Sequence, residues 1–155
     1  MVYVLPCNLP NFQQSAPRGD EWKFVDEGSP HGAGQVTWRN VDTGETIICP
    51  AIWYTFPAKR YAATLRWNAD RSEENALRKL QEDVPETLRN LKPWDITEAE
   101  QMRRQARRLR AMAMLCDRNP DAPAGAIDFR GLSDPITPRD VEDSTVAAIE
   151  AEASA

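Results

Sequence analysis

Residues 94–119 read WDITEAEQMRRQARRLRAMAMLCDRN, from Trp94 to Asn119. Between Glu98 and Cys116 there is no glycine, proline or β-branched residue, only strong helix formers. Thr97 and Glu100 have the spacing of a capping box, in which a hydroxyl and a carboxylate each accept the other residue's backbone N–H. Asn119-Pro120 closes the far end, because the residue before proline is pushed out of the helical region. The stretch therefore predicts a helix over about 98–116, roughly five turns long.

Met102, Ala106, Leu109, Ala113 and Cys116 recur at alternating spacings of four and three, a thin stripe along one helix face. Two of the five are alanines, which suits close approach to a second helix more than burial in a large core. Arg103, Arg104, Arg107, Arg108 and Arg110 flank the stripe, with acid only at Asp95, Glu98, Glu100 and Asp117. Five clustered guanidiniums repel one another, so the helix calls for anionic partners.

Reading upstream, 73–91 carries an apolar face of Leu77, Leu80, Val84, Leu88 and Leu91, with Asp70 or Ser72 as its N-cap and either a kink or two short helices meeting at Pro85. Lys92-Pro93 separates it from the arginine helix, so an antiparallel helical pair is expected, with a shorter helix over about 58–67 before it. Further upstream, 35–49 is a β-hairpin whose turn, Asp42-Thr43-Gly44, uses Gly44 for positive φ. Val36 and Trp38 share one face of its first strand, Pro50 ends the second, and Ile52–Phe56 is expected as a third strand.

The two ends look different. Residues 1–33 are punctuated by Pro6, Pro10, Pro17 and Pro30 and read as an extended arm with Phe12, Trp22 and Phe24 as aromatic anchors; Trp22–Val25 is its one short strand. Residues 119–155 form an acidic arm with Ile127, Phe129 and Leu132 as isolated anchors and a short helix over 138–150 containing Val141 and Ile149. The fold expected is thus α+β: a small antiparallel hairpin or three-stranded sheet on a helical pair over 34–118, with an arm at each end.

A chain of 155 residues suits one domain, and its 41% hydrophobic content argues against wholesale disorder. The net charge of −5 is unevenly placed: residues 1–94 hold 11 basic and 12 acidic groups, 95–118 hold six and four, and 119–155 hold two and eight. The acidic tail is thus positioned in sequence to neutralise the arginine helix, in the same chain or on a neighbouring copy. No apolar run approaches the ~18 residues that span a bilayer, and 1–6 lacks the pattern of a signal peptide, so no membrane partner and a cytoplasmic location are expected. Cys7, Cys49 and Cys116 are widely spaced and read as reduced thiols.

Chemistry is sparse. His31 is the only histidine and sits in a Gly/Pro turn, which leaves one imidazole, no multi-histidine metal site and only a remote chance of a Cys49–His31 dyad. Gly32-Ala33-Gly34 lacks the ending of a phosphate loop, and the pairs Glu73-Glu74, Glu82-Asp83 and Glu142-Asp143 diverge by ~100° on a helix, as solvated faces do. No cofactor and no catalytic residue is expected. The arginine helix could follow the phosphates of DNA or RNA, but an acidic chain favours arginines that pair with carboxylates. The expectation is a non-enzymatic assembly subunit, in the style of a phage head, neck or tail component, that binds neighbouring subunits, including its own copies. Phe12, Trp22, Arg104, Arg108, Phe129 and Ile149 are its expected contacts. A nucleic-acid-associated adaptor using the 98–116 helix is the alternative.

Overall fold

The computed structural model describes residues 9–26, 34–132 and 137–155. Cys7, His31 and the rest of 27–33 lie outside them, and with them the Cys49–His31 pairing. The strands are β1 (Trp22–Asp26), β2 (Gln35–Asn40) and β3 (Thr46–Pro50); the long helices are α1 (Ala58–Lys79), α2 (Pro93–Arg118) and α3 (Arg139–Ala153). The fold class is α+β. Two compact units divide the chain, one of Met1–Tyr61 with Cys116–Asp128 and one of Ala62–Leu115 with Phe129–Ala155. That division does not follow the expected sequence of arm, domain and arm.

In the first unit the strands form an antiparallel sheet in the order β1-β2-β3. Phe24 lies opposite Trp38, and Trp38 opposite Ile47. The hairpin turn forms as its sequence predicts: Gly44 has φ +75°, its N–H bonds the Asn40 carbonyl, and the Asn40 side chain accepts the Asp42 and Thr43 N–H groups. Val36, Trp38, Ile47 and Cys49 form the buried cluster, and Ala16, Trp22, Phe24, Ala51 and Phe56 pack on it. The Phe24 and Trp38 rings meet edge to face, 5.5 Å between centroids. The buried Trp38 indole needs a hydrogen-bond acceptor and donates to the Thr55 carbonyl at 2.9 Å.

The third strand is therefore β1, not Ile52–Phe56. That segment turns instead through a short 3-10 helix, Trp53–Thr55. Thr55 holds the turn, its hydroxyl donating towards the Pro50 and Ile52 carbonyls and accepting the Ile52 N–H. The described part of the expected N-terminal arm belongs to the sheet. Besides β1, Phe12 bridges Ile48 in parallel, with Gln13 N–H on the Ile48 carbonyl at 2.7 Å and Ile48 N–H on the Asn11 carbonyl at 3.2 Å. An edge strand offers those backbone groups, and chain residues 11–13 occupy them. On the far side of the same unit, Ala58 N–H bonds the Ala122 carbonyl and Ala124 N–H the Phe56 carbonyl.

In the second unit α1 and α2 form the expected antiparallel pair, but with different bounds. α1 is one helix over Ala58–Lys79 in place of helices at 58–67 and 73–91. The residues that read as caps lie inside it. Asp70 accepts a bond from Arg110, and the Ser72 hydroxyl donates to the Met102 carbonyl at 2.7 Å. The helix ends in a Schellman motif: Gln81 takes φ +55°, its N–H bonds the Arg78 carbonyl, and Glu82 N–H bonds the Leu77 carbonyl. Pro85 consequently kinks no helix; it precedes a 3-10 turn over Glu86–Leu88.

α2 starts at Pro93, where proline's missing N–H is not needed, and Thr97 sits a turn later with its hydroxyl donating back to the Pro93 carbonyl. Asp95 takes over the cap by accepting the Lys92 N–H at 2.9 Å. Ala62, Ala69 and Ala76 on α1 and Ala99, Ala106 and Ala113 on α2 are buried, each set spaced by seven. The bond between Ser72 and Met102 sets a register that puts Ala76, Ala69 and Ala62 level with Ala99, Ala106 and Ala113. α3 spans 139–153 rather than 138–150 and buries Val146 and Ile149. Among the described residues, no helix is long and apolar enough to cross a membrane.

Candidate functional site

The arginines of α2 are the first candidates, and most of them are engaged within the chain. Arg110 points to α1, where its guanidinium grips Glu73 and Asp70, each at 2.8 Å. Hydrogen bonding from Arg110 holds the Glu73 carboxyl below its usual range, and bonds from Glu73 and then Asp70 push Arg110 up. Arg104 and Arg107 point to α3. Arg104 bonds Asp143 at 3.1 Å and the Arg139 carbonyl at 3.0 Å, with Glu142 at 3.6 Å; Arg107 forms a fork on Glu150, Nε to Oε1 at 2.9 Å. Arg108 donates to the Leu132 carbonyl at 2.8 Å. Of the two routes open in the sequence, the acidic tail neutralises the arginine helix in the same chain.

The six residues expected as partner contacts are divided between the two units. Phe12 and Trp22 belong to the first unit, where Phe12 bridges β3 and Trp22 packs on the sheet core. Arg104, Arg108, Phe129 and Ile149 belong to the second. Phe129 and Ile149 are only 7% and 6% exposed, so neither stands out as an anchor. They looked exposed because their neighbours in sequence are polar, and α3 buries Ile149 through helix periodicity that a short tail signals weakly.

What the sequence reading missed is the turn end of the α1–α2 pair. Lys79 bonds Glu98 at 2.6 Å and reaches Asp95 at 3.7 Å, joining the last turn of α1 to the first turns of α2. The Glu98 bond raises the Lys79 pKa. The connection is ordered: the Gln81 amide pairs with the Asn90 backbone in both directions, and Arg89 Nε donates to the Val84 carbonyl at 2.9 Å. On this end four large apolar side chains are left to water, Leu77 (45% exposed), Leu88 (71%), Trp94 (60%) and Ile96 (46%). Leu77 and Leu88 were counted as one inward leucine face. Because α1 stops at Lys79, the helical period that placed them inward does not continue to Leu88.

Among the described residues of the first unit, Trp53 is an exposed aromatic with two aromatic neighbours. Trp53 stacks on Tyr61 at 4.9 Å and meets Tyr54 edge to face at 5.6 Å. Gly125 lies against Tyr54, where an added Cβ would come within 3.0 Å of the tyrosine Cβ. As for chemistry, Cys49 and Cys116 are buried free thiols. Burial pushes the Cys49 thiol up to about 11, and it donates to the Ser15 carbonyl, so it is held as a thiol at neutral pH. Among the described residues, no group of three His, Cys, Asp or Glu side chains could hold a metal ion. No protein-family model, curated protein or solved structure matches the chain.

Proposed function

We propose that this chain is a non-enzymatic subunit of a larger protein assembly, joining neighbouring subunits, its own copies among them, through the turn end of the α1–α2 pair. The observation that carries this reading is the exposure of four large apolar side chains close in sequence: Leu77 near the end of α1, Leu88 in the connection, and Trp94 and Ile96 at the start of α2. Tryptophan and leucine left to water in an ordered segment lose apolar contact that a partner surface can supply, at ~25 cal/mol for each Å² covered. The charges around them are of both signs: from Glu74 to Glu98 there are six acids (Glu74, Glu82, Asp83, Glu86, Asp95, Glu98) and four bases (Arg78, Lys79, Arg89, Lys92), so acids of one copy can meet bases of another.

A virion component such as a phage head, neck or tail protein is the setting this build suits by analogy alone; a cytoplasmic complex is the other. The adaptor reading has less support. A nucleic acid approaching α2 would have to displace the carboxylates from Arg104, Arg107 and Arg110 before those side chains could meet phosphate.

Cross-linking tests the proposal at its flanks. In a mixture of isotopically light and heavy chains, amine-reactive cross-linking should join Lys79 or Lys92 of one copy to the same pair of another. Links confined to single chains, with duplex DNA retarded by the protein at low salt, would favour the adaptor.

A further inference from the structure

The arginines of the second unit include two that its carboxylates do not satisfy. Arg103, Arg104 and Arg107 of α2 and Arg139 of α3 line one open cleft of about 380 Å³, together with Glu142 and Asp143. Both acids are directed to Arg104, and Arg107 is held by Glu150. Among the described residues, Arg103 and Arg139 have no ion-pair partner. Arg103 acts weakly on Glu73, whose carboxylate is bound by Arg110 on the α1 side. With Glu150 on Arg107 counted, four guanidiniums against three carboxylates leave the cleft with a surplus of one positive charge.

We infer that this cleft binds a phosphate-type oxyanion, with Arg103 and Arg139 as the primary ligands and Arg104 fixed between them. Arginine suits that role because its planar fork meets two oxygens of one phosphate at once. The existing bonds preorganise the site: Arg104 is anchored to Asp143 and to the Arg139 carbonyl, which ties the two helices together at the cleft. A volume of about 380 Å³ corresponds to roughly a dozen waters at ~30 Å³ each, room for a diphosphate that keeps part of its hydration. A surplus of one charge, with Arg103 and Arg139 outside any ion pair among the described residues, suits a small phosphate-type anion better than a long polyanion, since Glu142 and Asp143 stand at the cleft and would repel a phosphate chain passing over it. The inference is independent of the assembly proposal, because none of these residues lies at the turn end of the α1–α2 pair.

The test is calorimetric titration of the full chain with inorganic pyrophosphate at low ionic strength. Saturable one-site binding is expected, weakened about tenfold by Arg103→Gln and by Arg139→Gln and less by Arg103→Lys, which keeps the charge but loses the fork. Arg78→Gln, on α1 and outside the cleft, should leave the affinity unchanged. Thermal melting of each variant separates lost binding from lost folding. The inference is overturned if millimolar pyrophosphate does not bind, if folded Arg103 and Arg139 variants bind as well as wild type, or if duplex DNA binds where pyrophosphate does not.

Discussion

Trp38 shows how much one side chain decides. Fully buried, it fills the sheet core and uses its only polar atom on the Thr55 carbonyl, which holds the turn that ends the sheet. Trp38→Phe keeps most of the volume but strips the donor from a buried carbonyl, and chemical denaturation should register a loss of ~1–3 kcal/mol. Trp38→Ala adds a cavity and should cost about 3–5 kcal/mol. Its burial was legible from the alternation of Val36 and Trp38; its partner was not, because nothing in a run of β-branched and aromatic residues marks Thr55 as the end of a turn.

The same gap explains the caps. Asp70, Ser72 and Thr97 have the side chains that cap helices, and those same groups reach a carbonyl or a guanidinium equally well from mid-helix. Arg110 and Glu73 are the pair to test. Because the folded-state pKa of Glu73 is lowered, its contribution is present above the ordinary glutamate value of 4.5 and disappears as pH falls through the lowered one. Melting temperature should drop on acidification below about 4.5, and Arg110→Gln should remove part of that drop. Both partners are well exposed, so a double-mutant cycle should return a coupling of only ~0.2–1 kcal/mol.

Among the elements, the helical pair was readable in kind and wrong in extent. Length and stripe pointed to α2, and the alanines in that stripe to a close neighbour. The alanines of α1 give a weaker apolar signal than the larger leucines that follow them. In the structure the alanines spaced by seven are buried, whereas Leu77 is exposed near the end of α1 and Leu80, Leu88 and Leu91 lie beyond it. Substituting Ala106→Leu should destabilise by about 1–3 kcal/mol through overpacking, while Gln105→Leu, exposed on the next position, should change the melting temperature little. The sheet carries a matching lesson. Two candidate third strands existed, and the one chosen by backbone bonding is β1, whose Phe24 meets Trp38 across the ladder.

For the molecule as a whole, the charge distribution was the most informative property of the sequence. The surplus of arginine in one helix and of acid in the tail predicted that the two would meet, and Arg104 and Arg107 meet α3 through Asp143 and Glu150. What no count of residues could locate is where apolar surface remains after folding, since that depends on where α1 stops. The account rests on that surface. Sedimentation velocity of the isolated chain, beside a Leu88→Asn/Trp94→Ser double variant with the same melting temperature, tests it most directly. The account predicts concentration-dependent association for the wild-type chain and a folded monomer for the variant. A wild-type chain that sediments as a monomer at every concentration, or a variant that associates just as strongly, would contradict it.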